Sequence, residues 1–117
     1  MRELKFKKIY DLALDLMNIF TESDFVYSKT VEVEYGLYID FDENGCPIAI
    51  ELINFSKRFK VVRQFLLDAK VTGLIEVNID LIKIKLNIRI NKEFRTVESE
   101  ISNDFGISSG KYDILIE

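Results

Sequence analysis

An α+β domain, with an antiparallel β-meander sheet built from both halves and one covering helix at about residues 56–70, is what this sequence predicts. Three observations lead there. Isoleucine is the commonest apolar residue, with 16 copies, and β-branched side chains suit the pleated surface of a sheet. Apolar and polar residues alternate over several segments, the period of a half-buried strand. One segment, Ser56 to Lys70, instead carries its apolar residues at helical spacing. At 117 residues, 48% of them hydrophobic, the chain buries roughly two thirds of its unfolded surface, enough for one domain spanning 1–117.

The elements follow in order. Leu16 to Phe20 reads as a strand, ended by the polar break Thr21 to Asp24. Val31 to Tyr35 alternates strictly, Gly36 interrupts, Leu37 to Phe41 resumes, and Ile48 to Ile53 completes a hairpin around Glu43-Asn44-Gly45. The first half thus reads as a three- or four-stranded meander. Ser56 is the expected N-cap of the helix, and Phe59, Val62, Phe65, Leu66 and Ala69 form its apolar stripe. Beyond Gly73, Ile75, Val77, Ile79 and Leu81 share one parity, and Ile82, Ile84, Leu86, Ile88 and Ile90 share the other. The switch requires a tight turn or a bulge near Asp80 to Ile82, and the lack of Gly or Pro there favours a bulge or bend. Phe94 to Ile101 fits either helix or strand, Ser102 to Gly110 is a loop, and Tyr112, Ile114 and Ile116 make a terminal strand.

Composition narrows the chemistry. Without histidine, the chain has no Ser-His or Cys-His nucleophile pair, no His-ligated zinc and no imidazole acid/base. Cys46 has no second cysteine to pair with, so a reducing, cytoplasmic setting is expected. Lysines alternate with apolar residues near the N-terminus, unlike a signal peptide, and no run of 18 uncharged apolar residues spans a membrane. The expectation is a non-enzymatic protein without cofactor.

Two clusters are the candidate sites. Asp40, Asp42, Asn44, Gly45 and Glu51 satisfy the EF-hand loop pattern, in which alternate oxygens converge on a hard cation before a glycine turn. The flanks alternate as strands, however, and Pro47 occupies the eighth loop position, so a solvent-facing turn is favoured over a metal site. Asp40 and Asp42, about 6–7 Å apart along a strand, could form a catalytic carboxylate pair, but nothing supplies a pocket or an electrophile. The second cluster is a basic strand face of Lys83, Lys85 and Arg89, extended by Lys92 and Arg95, which could follow a nucleic-acid backbone. It has no stacking aromatics, the chain carries a net charge of -4, and lysines also protect sheet edges. Charge falls in blocks: residues 30–56 hold six acidic side chains and no basic one, and residues 57–95 hold ten basic against four acidic. Such blocks can pair within the fold or across a symmetric dimer.

Tyr10-Asp11, Asp15, Met17 and Ile19, then Gly36 to Gly45 and Ile48 to Ser56, resemble a small prokaryotic family, domain of unknown function 2283. Its members run from a tyrosine-aspartate start through a D-Y-D-x-D-G turn to a V-G-I-E-I-L-x-A-S close. The resemblance covers residues 10–56. It departs at Leu12 for Pro, Asn44 for Asp, Ala49 for Gly and Phe55 for Ala. It implies a β-rich meander whose aspartate-glycine turn is a hairpin without helical flanks, and it brings no activity, substrate or cofactor. Members are often companions of other short prokaryotic proteins, which implies a binding role of the antitoxin kind. The functional expectation is therefore a protein–protein interaction module whose partner is a second copy, as a homodimer, or another small protein. Nucleic-acid binding along the basic face and cation binding at Asp40 to Glu51 are the alternatives.

Overall fold

The structure, a computed structural model describing residues 1–116, is almost entirely β. Nine strands, β1 (Arg2–Asp11), β2 (Leu16–Phe20), β3 (Tyr27–Glu34), β4 (Leu37–Asp42), β5 (Pro47–Ile53), β6 (Lys70–Val77), β7 (Leu81–Ile90), β8 (Glu93–Ser102) and β9 (Gly110–Ile116), form one sheet. Their order is β3-β4-β5-β2-β1-β9-β6-β7-β8. β3 and β8 come back alongside each other, so the sheet nearly closes into a barrel. Alternate side chains fill the interior, among them Met17, Ile39, Phe41, Ile50, Leu52, Ile75, Ile82 and Leu86.

This overturns the α+β expectation, because among the described residues no helix of seven or more residues covers the sheet. Where one helix was expected over 56–70, a single turn, α1 (Phe55–Phe59), is followed by a 3-10 turn at Arg63–Leu66. The cause is local. Asn54 and Lys60, on either side of α1, are both left-handed, and Lys60 N–H closes back on the Lys57 carbonyl, while Val62 is extended. The helical-looking stripe is therefore divided: Leu66 and Ala69 are fully buried, whereas Val62 and Phe65 are 59% and 49% exposed. Residues 54–69 cross from β5 to β6 over β2, β1 and β9, covering one end of the barrel with Phe55, Leu66 and Ala69.

Other expectations resolve similarly. β3, β4 and β5 form a three-stranded meander, but β2 lies between β5 and β1 and not beside β3. The parity switch after Gly73 is a tight turn and not a bulge: β6 and β7 pair from Lys70↔Arg89 to Val77↔Ile82. Asn78 makes an Asx turn there, its side-chain oxygen accepting from Asp80 N–H (2.9 Å) and Leu81 N–H (2.7 Å). Residues 93–102 are strand, paired with β7 throughout. The sheet is not wholly antiparallel, since β9 runs parallel to β1, Arg2↔Tyr112 to Phe6↔Ile116. That pair joins the two halves of the chain. At the far end the loop 103–109 reinforces the join, Lys29 Nζ donating to the Phe105 carbonyl and Asn103 bracing Ile107.

Gly73 sits where β6 must pass close to β7 and β9. A Cβ there would lie 2.7 Å from Leu86 Cδ2 and 3.3 Å from the Lys85 carbonyl, with Leu86 fully enclosed. Gly73→Ala is expected to destabilise by about 1–3 kcal/mol through overpacking, read as a lower midpoint in urea at unchanged slope.

Candidate functional site

The acidic turn is a hairpin corner. Asp42 Oδ1 accepts from the amides of Asn44 and Cys46, both at 2.9 Å, and Gly45 N–H donates to the Asp42 carbonyl with Gly45 at φ 80°. Asp40 Oδ1 accepts from Thr30 Oγ1 at 2.6 Å, while Glu51 stands beside Tyr38 on the neighbouring strand. The carboxylates thus organise backbone and cross-strand contacts, and among the described residues no group of three or more acidic or cysteine side chains is arranged to hold a metal. Millimolar Ca²⁺ is expected to leave the melting temperature unchanged. A rise that Asp42→Asn abolishes would instead assign the turn to a cation.

Lys83, Lys85 and Arg89 lie on the exposed face of β7, interleaved with acids of the neighbouring strands. Lys83 stands between Glu76 on β6 and Glu100 on β8, and Lys85 pairs with Glu98 at 3.4 Å. These five side chains and Leu74 line a shallow groove of about 490 Å³. Arg89 donates to the Asn91 carbonyl, Lys92 lies in the β7–β8 turn, and Arg95 pairs with Glu93 at 2.7 Å. The two opposed charge blocks meet within one chain at Arg58 and Glu34, 3.5 Å apart. Cys46 is half-buried, and burial pushes its thiol up, only partly opposed by Arg2, which leaves it a poor nucleophile.

The covered end of the barrel holds what the periodicity did not reveal. Asp15, 1% exposed and left-handed at φ 54°, accepts from Tyr10 Oη (2.5 Å), Ser56 N–H (2.8 Å) and Ser56 Oγ (2.7 Å). Ser56 is thus no N-cap; it is the donating side of a clasp that ties the covering segment to Asp15 of the β1–β2 turn. Burial alone would push the Asp15 carboxyl up, but these hydrogen bonds and the nearby Arg63 outweigh it and hold it below the usual carboxylate value. Lys8 Nζ adds a second tie, donating to the Leu67 (3.3 Å) and Ala69 carbonyls.

Around this clasp, apolar side chains face solvent. Arg63 donates to the Leu12 and Ala13 carbonyls at 3.0 and 3.2 Å, which draws the 12–14 turn against the 62–67 segment. Leu12, Leu14, Val62, Phe65 and Leu67 are between 38% and 68% exposed there. The sequence carried a signal for two of them, since leucines at 12 and 14 occupy a turn where polar residues are the rule. Val62 and Phe65 were hidden by their helical spacing.

No family model and no solved structure matches the chain. It is 31% identical over 114 residues to an uncharacterized protein of Methanocaldococcus jannaschii, MJ0789, in an alignment covering 92% of this chain and 97% of the relative.

Proposed function

Because the chain belongs to the same family as the uncharacterized Methanocaldococcus jannaschii protein, whose name assigns no activity, we propose from geometry that it is a non-enzymatic protein–protein interaction module, acting in the cytoplasm. The observation that carries this is the group of five large apolar side chains exposed together at the covered end of the barrel. Exposed apolar clusters of this kind mark interaction sites. The likeness of residues 10–56 to domain of unknown function 2283 belongs to the same proposal. It is supported by the way Tyr10, Asp15 and Ser56, from the two ends of that stretch, converge in one cluster.

Leu14→Asp/Phe65→Asp tests the proposal. Leu14 is 68% and Phe65 49% exposed, so the melting temperature is expected to fall by no more than a few degrees from the parent. In co-purification from the native host, a partner retained by the parent chain and lost by the variant supports the assignment. Equal retention by both overturns it.

The edges of the sheet favour a second reading, self-association. β3 and β8 each pair on one side only, and Tyr27 and Phe94 on them are 54% and 72% exposed. A homodimer at tens of micromolar in light scattering is the expected result, and a monomer alone would remove this reading. Nucleic-acid binding is the weaker proposal, because acids flank Lys83 and Lys85.

A further inference from the structure

We infer that the occupant of the apolar end is an acidic amphipathic helix supplied by a different protein. This rests on the proposed function and names the partner of the same surface. Residues 54–70, which form most of that surface, carry Lys57, Arg58, Lys60, Arg63 and Lys70 against Asp68 alone, five basic to one acidic, in a chain whose net charge is -4. Arg58 and Arg63 are engaged with Glu34 and with backbone carbonyls. Lys57, Lys60 and Lys70 are exposed and form no ion pair among the described residues. Lys70 also stands directly across from Arg89 on β7, a like-charge cross-strand pair that is unfavourable until an anion lies over it.

A patch with an apolar centre and a cationic rim matches a helix with leucines on one stripe and glutamates on its flanks. A second copy fits less well, because both copies would bring the same five-to-one basic excess of residues 54–70 to the contact. An anionic bilayer also fits less well. Asp11 and Asp68 border the apolar side chains and would be pressed into the headgroups, whereas a helix can place a lysine opposite each.

The test uses the full chain and a fluorescent 20-residue amphipathic peptide with leucine on one stripe and glutamate on the other. The expected result is saturable binding by anisotropy that weakens at least tenfold in Lys57→Glu/Lys60→Glu/Lys70→Glu, weakens in Leu14→Asp/Phe65→Asp, and falls as salt is raised. A matched peptide with lysine for glutamate should not bind. Equal binding of both peptides, or binding indifferent to the lysine variant, overturns the inference. So does co-sedimentation with phosphatidylserine vesicles by a chain that ignores the peptide, or a dimer that Leu14→Asp/Phe65→Asp dissociates. If the peptide fails while Leu14→Asp/Phe65→Asp still loses its co-purified partner, the interaction module stands and only the acidic-helix assignment falls.

Discussion

Phe55→Ala is expected to cost about 3–5 kcal/mol, a large fraction of the 5–15 kcal/mol that holds a domain of this kind together. Phe55 is fully buried at the head of the covering segment. Its ring lies 6.1 Å from that of Tyr10 and meets Phe59 edge-on at 5.0 Å. Truncation would leave a cavity under a segment whose regular structure is one helical turn and one 3-10 turn, with little of its own to keep it in place. Urea unfolding followed by circular dichroism should show a much lower midpoint. A change below 1 kcal/mol would mean that residues 54–69 do not cap the barrel as described.

The second large effect is expected at Asp15. Asp15→Ala strips the acceptor from Tyr10 Oη and from both donors of Ser56 and places alanine at φ 54°, at a cost of about 3–4 kcal/mol. Asp15→Asn keeps one acceptor oxygen and a residue tolerant of the left-handed region, so about half that loss is expected. The same clasp makes stability depend on pH at both extremes. The folded pKa of Asp15 is depressed, so its contribution is present above the ordinary carboxylate value and disappears as pH falls through the folded one. Burial and the bond to Asp15 raise Tyr10, whose contribution is present below about pH 10 and disappears as pH rises through the raised folded value. Thermal melts should therefore show the parent losing more stability than Asp15→Asn on acidification below pH 4. Parallel acid profiles for the two chains would refute the assignment.

The strands were legible in the sequence wherever a period of two could be read against a glycine or an Asx turn. Val31 to Ile53 folds back at Asn44-Gly45 as read, because alternation names the buried face and the turn residues name the corner. Asp40, Asp42 and Glu51 on β4 and β5, and Lys83, Lys85 and Arg89 on β7, alternate with buried neighbours, whereas Lys92 lies in the β7–β8 turn and Arg95 on β8.

Alternation says nothing about which edges meet, and there the tertiary structure decided. The parallel β1–β9 pair joins residues as far apart as Arg2 and Tyr112, and β3 (Tyr27–Glu34) nears a strand that begins only at Glu93, so no local window contains either contact. The same holds for residues 54–69. Their helical spacing was real, yet the barrel end needed a short cover, and buried Phe55, Leu66 and Ala69 with the Asp15 clasp outweighed the modest intrinsic preference for a longer helix. By itself the sequence determined the inward faces of the alternating strands, the Asn44-Gly45 corner and the absence of imidazole chemistry. Closure of the sheet, and the exposure of Val62 and Phe65 beside Leu12 and Leu14, came from burial summed over distant elements, a free energy that belongs to no single segment.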